Sequence, residues 1–225
     1  MEFGLTEVLN IIAAMSAIGT AAFGLVDTTK AFWGGVSNIG FAHLERCLNR
    51  FDKTLSAALG GADWRDVFRA HWRNGVAKAD QKAIVRSLIR LGMTDGAIDE
   101  LAIVGNVEKK LLRELVDHLR NGTELEPRHL NALGRVDTAM EALIDAAYER
   151  ADHQYRNGAR ALAGAVAIAL SLAGGWFVLD YGQPVHLAMA LAVGILAVPV
   201  APIAKDLTAS LTTAARSLSV LRGSA

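Results

Sequence analysis

The 225-residue chain is 52% hydrophobic, only 6% aromatic, has a mean hydropathy of +0.28, and carries 23 basic and 23 acidic residues. An aromatic-poor composition rich in Ala and Gly predicts packed helices rather than a sheet sandwich, and zero net charge removes the long-range field that would gather nucleic acid. The single Cys47 excludes an intrachain disulfide, and no cysteine spacing of the zinc type is present.

The distribution of charge says more than its sum. Nineteen of the Lys and Arg and eighteen of the Asp and Glu fall between His43 and Arg160, whereas Val8–Val26, Ala161–Leu179 and Val185–Ala204 contain none. A hydrocarbon core about 30 Å thick is crossed by about 20 apolar helical residues. The expected fold is an all-α integral membrane protein with three transmembrane helices and a cytoplasmic helical domain between the first and second spans. Residues 1–42 are the N-terminal transmembrane helix and an interfacial segment, 43–157 the cytoplasmic domain, 158–204 a transmembrane hairpin, and 205–225 an amphipathic C-terminal tail. The competing arrangement, a buried hairpin in a soluble protein, is disfavoured because neither of the last two runs has a polar face.

The leader before the first run holds Glu2 and Glu7 and no Lys or Arg, the reverse of the positive start of an export signal, so this span is expected to be retained. Thr6, Asn10, Ala13, Ala17, Thr20, Gly24 and Asp27 recur at steps of three and four and share one face; Val8, Ile11, Ile12, Met15, Ile18 and Leu25 lie opposite. The bulky side suits lipid. The stripe from Asn10 to Asp27 suits either close packing against another helix or the lining of a pore. Asp27 and Lys30 are expected to form an interfacial charge pair. Ala31–Ala42 is uncharged and holds Gly34, Gly35 and Gly40; it extends the helix, lies in the headgroup region with Trp33 as anchor, or re-enters the membrane, and the interfacial arrangement is preferred.

Helical phrases fill the chain from His43 to Tyr155. Leu44, Leu48, Phe51 and Leu55 make one apolar face ending near Gly60 and Gly61; Ala62–Asn74 and Val76–Leu91 follow, with Gly92 as terminator. Thr94 and Asp95 are placed to cap a short helix, Val107–Leu119 is amphipathic, and Pro127 opens a longer helix with an apolar seam of Leu130, Leu133, Val136, Met140, Leu143 and Ala147. Asn157 and Gly158 are expected to bend that helix as it continues into the second span, with Gly158 a hinge through which the domain's movement reaches the membrane.

Small residues recur in the hairpin, at Gly164, Ala167, Ser171 and Gly174 in the second span and at Ala190, Gly194, Ala197 and Ala201 in the third, and predict close antiparallel packing. Pro199 and Pro202 each lack a backbone donor, so a kink or hinge is expected near them. In the tail, Leu207, Leu211, Ala214, Leu218 and Leu221 form a short heptad seam suited to self-association or to lying on the inner leaflet.

Positive flanks fix the expected orientation. Lys30 and Arg46 follow the first run, Arg150, Arg156 and Arg160 precede the second, Lys205 and Arg216 follow the third, and the Asp180–Pro184 link has no Lys or Arg. One topology satisfies all of them: N-terminus outside, central domain and C-terminus in the cytoplasm, the expected location being a bacterial inner membrane.

Motifs for chemistry are sparse. Asp95-Gly96-Ala97-Ile98-Asp99-Glu100 has the outline of the later half of a calcium loop, but Leu91, Met93 and Ala102 stand at its first, third and last ligand positions. Asp145, Glu149 and His153 share a helix face without a second histidine nearby, so neither a metal nor a cofactor is expected. His118, His129 and His186 are isolated in the sequence, and no phosphate loop, nucleophile elbow or dinucleotide fingerprint is present, which argues against an enzyme. The architecture suggests a homo-oligomer in membrane lipid, with channel-like or pore-like spans gated or sensed by the cytoplasmic domain. The alternative is a membrane-anchored scaffold or adaptor whose domain recruits a cytoplasmic protein partner, with no transport.

Overall fold

Helix accounts for 86% of the chain, and the described residues contain no strand. The computed structural model describes residues 5–179 and 181–223, with side chains described over 10–29, 34–179 and 181–203. In chain order the helices are α1 (Leu5–Trp33), α2 (Ser37–Leu48), α3 (Asp52–Ala58), α4 (Trp64–Arg73), α5 (Lys78–Leu91), α6 (Ile98–Gly105), α7 (Lys109–Asn121), α8 (Pro127–Val178) and α9 (Pro184–Gly223), with 3-10 turns at Asn49–Phe51 and Asp95–Ala97. Three of them, α1, α8 and α9, are long and apolar enough to cross a membrane. At 52 residues α8 rises about 78 Å, far more than a bilayer core, and only its uncharged stretch from Ala161 onward has the composition of a span.

The chain divides into two units. The first comprises Met1–Val36 and Asn157–Ala225, the second Ser37–Arg156.

In the first unit α1 packs on α9, and α9 on the later part of α8, through residues too small to hold the backbones apart. Ala163 and Ala167 are fully buried on α8, and Ala190, Gly194, Ala197 and Ala201 are buried on α9. A Cβ at Gly194 would lie 2.7 Å from the Ile168 Cα, so glycine sets that crossing. Ser171 donates from Oγ to the Ala190 carbonyl at 2.6 Å, and Tyr181 from its hydroxyl to the Leu172 carbonyl at 2.6 Å, satisfying polar groups that hydrocarbon would leave bare. Gly174, expected in this contact, is exposed, with nothing among the described residues within 4 Å of the place a Cβ would take; Ala163 takes part instead. After α1, Gly34 and Gly35 adopt φ of 78° and 44°, a left-handed turn that ends the helix.

The second unit is a layered helical domain around Leu44, Leu48, Phe51, Leu55, Trp64, Phe68, Val85, Ile89, Leu101, Leu112, Leu115, Val136, Met140, Ile144 and Tyr148, all buried. The apolar phrase from Leu44 to Leu55 is broken by the Asn49–Phe51 turn into α2 and α3, yet all four of its expected core residues are fully buried. Residues 37–42, read from sequence as interfacial, form the first turns of α2: Phe41 joins the core, and Gly40 faces Trp72 Cζ2 at 2.7 Å and the Ala151 carbonyl at 2.8 Å from its would-be Cβ. The buried face of α8 here includes Ala132, Val136, Met140, Ile144, Ala147, Tyr148 and Ala151; of the expected seam Val136, Met140 and Ala147 are buried, Leu133 and Leu143 pack partly buried against the core, and Leu130 is 53% exposed.

A ladder of charges joins α5 to α8. Lys78, Lys82, Arg86 and Arg90 stand one turn apart and meet acidic residues at the same period: Lys78 with Asp152 at 3.0 Å, Lys82 with Asp145 at 3.1 Å, Arg86 with Asp145 at 3.0 Å and Arg90 with Asp137 at 3.2 Å. The opposite order of the two sets shows the helices to be antiparallel. Rungs this exposed contribute up to about 1 kcal/mol each, so their larger effect is to fix register.

Candidate functional site

The faces of α1 define the candidate site. Gly19, Ala22 and Val26 are buried, and a Cβ at Gly19 would collide with the Ala197 carbonyl oxygen and lie 2.7 Å from Ala201 Cβ, so this face is committed to α9. By the 3.6-residue repeat the polar stripe centres about 155° away. Asn10, Ala13, Ala17, Thr20, Gly24 and Asp27 are all exposed. The sequence left the stripe between helix packing and pore lining; within one subunit it is not the packing face.

A crevice of about 300 Å³ opens beside the stripe, lined by Thr20, Phe23, Ala201 and Pro202. Phe23 lies one turn after Thr20, on the edge between stripe and buried face, and was not singled out by sequence because it reads as an ordinary lipid-facing residue. Thr28 and Thr29 return their hydroxyls to the Leu25 and Val26 carbonyls at 2.6 and 2.7 Å, which satisfies both groups inside α1. Asp27 has a partner within the chain, and the side chain of Lys30 lies outside the described residues.

Gly158 is inside α8, and Pro199 and Pro202 are inside α9, with helix assigned on both sides of each. Both prolines are exposed. The backbone of Leu207, Leu211, Leu218 and Leu221 is helical within α9, while their side chains lie outside the described residues.

In the second unit the carboxylates that resembled ligands have structural partners. Asp95 pairs with Arg120 at 2.7 Å and Asp99 with Lys109 at 2.9 Å, and the Lys109 hydrogen bond and charge hold the Asp99 carboxyl below its ordinary range. Glu100 caps the N-terminus of α3, accepting from the Lys53 and Thr54 amides at 2.9 and 3.1 Å and from the Thr54 hydroxyl at 2.9 Å. The expected side-chain cap at Thr94 is not made. Asp145 and Glu149 belong to the charge ladder rather than to a bare acidic face. His118 and His129, isolated in sequence, lie against each other with ring centroids 4.7 Å apart and planes tilted by 41°. Among the described residues no group of three His, Cys, Asp or Glu is arranged to hold a metal ion. Comparison with known proteins gives no likeness to draw on: no family model, no curated protein and no solved structure matches this chain.

Proposed function

We propose that the chain assembles in the membrane as a homo-oligomer whose α1 stripes face a shared axis and line a conduit for ions or small solutes, with the helical domain on the cytoplasmic side as sensor or gate. The observation that carries this reading is the exposure of Asn10, Thr20 and Asp27 on a span whose opposite face already packs against α9. An amide or hydroxyl facing hydrocarbon without a partner costs on the order of 2–7 kcal/mol, so such a stripe is favoured where it meets water or another subunit. The orientation follows from the positive flanks, with the N-terminus and the hairpin tip outside. Conductance of the reconstituted protein tests the reading: Asn10→Leu or Thr20→Leu should reduce it or change its selectivity, and unchanged conductance in a correctly assembled variant removes the stripe from the conduit.

A second reading, a membrane-anchored scaffold without transport, is favoured by apolar surface on the second unit. Ile103 is 78% exposed and Leu130 53% exposed, each beside a crevice between α6 and α8. This reading expects the full-length protein to capture a stoichiometric cytoplasmic partner through that surface, and Ile103→Asp to release it.

A further inference from the structure

Many cations of the second unit have an acidic partner, as the α5–α8 ladder illustrates; among those without one in the described residues, Arg46, Arg50 and Arg150 stand together around a single pocket. His43, Arg46 and Cys47 share one face of α2 and Arg50 follows in the Asn49–Phe51 turn, while Leu143, Ala146, Ala147 and Arg150 share one face of α8. The two faces enclose a pocket of about 240 Å³. Cys47 lies against α8, its Sγ 3.5 Å from the Leu143 carbonyl, and burial pushes its thiol up despite the opposing pull of Arg50 and Arg150.

Three guanidinium groups and an imidazole line this pocket, and among the described residues no carboxylate does. Among the same residues Arg46, Arg50 and Arg150 form no ion pair, whereas Arg65, Arg86, Arg90, Arg120 and Arg128 do; Arg113 and Arg135 are also without one, but neither lines this pocket. Acidic residues next to these arginines in sequence or on a shared crevice have other partners: Glu45 pairs with Arg65, Glu149 with Lys78, and Glu100, on the crevice that Arg50 also borders, caps α3. Like charges held around a concave, partly apolar site repel one another unless an anion enters. All three cations are arginines, whose planar fork of donors matches phosphate oxygens two at a time. The volume is below that of sites for drug-sized ligands, which are typically about 300–1,000 Å³, and suits a small anionic group.

We propose that the α2–α8 pocket binds a phosphate group, held by Arg46, Arg50 and Arg150 with His43 at its rim. Phosphate of this kind is presented by a soluble phosphorylated solute or by the headgroup of an anionic lipid, and two measurements on the full-length protein separate these sources. In the first, pyrophosphate is titrated calorimetrically into protein held in phosphatidylcholine nanodiscs at constant ionic strength. In the second, native mass spectrometry of detergent-purified protein supplied with phosphatidylglycerol counts bound lipid. Both are repeated with Arg46→Gln/Arg150→Gln and with Arg46→Gln alone; these side chains are exposed and form no ion pair among the described residues, so the fold tolerates both changes. Saturable pyrophosphate binding weakened at least tenfold in the double variant supports a soluble ligand. A phosphatidylglycerol adduct lost in the double variant, without pyrophosphate binding, supports a headgroup. Binding of neither probe, or binding that both variants retain unchanged, overturns the proposal.

Discussion

Gly19 and Ala197 meet backbone to backbone: the space that a Cβ on Gly19 would occupy is filled by the Ala197 carbonyl oxygen. That contact assigns one face of α1 to α9 and leaves the polar stripe outward. Gly19→Leu should therefore separate the helices, at a cost of about 1–3 kcal/mol or more for forced overpacking, read as a lower melting temperature in lipid nanodiscs. Gly174→Ala, on a glycine with open space around it, should be neutral or stabilise the helix by up to about 1 kcal/mol.

Gly24 offers a sharper discrimination, because among the described residues of its own subunit nothing lies within 4 Å of its would-be Cβ. If the stripe faces other copies, Gly24→Leu leaves the monomer's melting unchanged but lowers the subunit number measured by mass in nanodiscs. An unchanged subunit number would place Gly24 outside any subunit contact.

The three helices long and apolar enough to cross a membrane were legible because absence of charge over about 20 residues is a strong physical signal, independent of how the helices pack. Which face of each of them packs was legible only in part. Ala190, Gly194, Ala197 and Ala201 are all buried as their spacing implied, but on α1 the conspicuous polar stripe drew attention from Gly19, Ala22 and Val26, which make the actual contact. On α8 the expected seam holds at Val136, Met140 and Ala147 but not at Leu130, and it passed over the smaller or less obvious Ala132, Tyr148 and Ala151, which are also buried. The charge ladder had a readable signature, two stripes of opposite sign with the same four-residue period. The Glu100 cap and the arginine pocket had none, since each depends on elements far apart in sequence.

Glu100 should matter beyond its exposed charge. Glu100→Ala leaves the Lys53 and Thr54 amides and the partly buried Thr54 hydroxyl without their acceptor, which should cost about 1–3 kcal/mol in a denaturant titration of the full chain; Glu100→Gln should retain part of that stability.

Two groups in the α8 portion of the second unit, well before its apolar stretch, make stability depend on pH in opposite senses. Burial disfavours the Asp152 carboxylate, but hydrogen bonds from Lys78 and Arg156 outweigh it and lower its pKa. Its contribution, about 1 kcal/mol, is present above the ordinary carboxylate value and is lost as pH falls through the lowered one, so Asp152→Asn should destabilise at neutral pH and converge with the parent in acid. Tyr148 is fully buried with no partner for its hydroxyl among the described residues, and burial pushes its pKa up. Stability tied to this proton is complete below the ordinary phenol value near 10 and is lost as pH rises toward the elevated one. Tyr148→Phe should be neutral or stabilising by about 1 kcal/mol at pH 7 and should blunt unfolding in alkali.

The central claim is that the exposed α1 stripes meet in a closed assembly, and subunit number in the membrane tests it most directly. Mass measurement and two-dimensional class averages of the purified protein in lipid nanodiscs should give a ring of identical subunits around a central opening. A monomer or a compact dimer without an opening would contradict it.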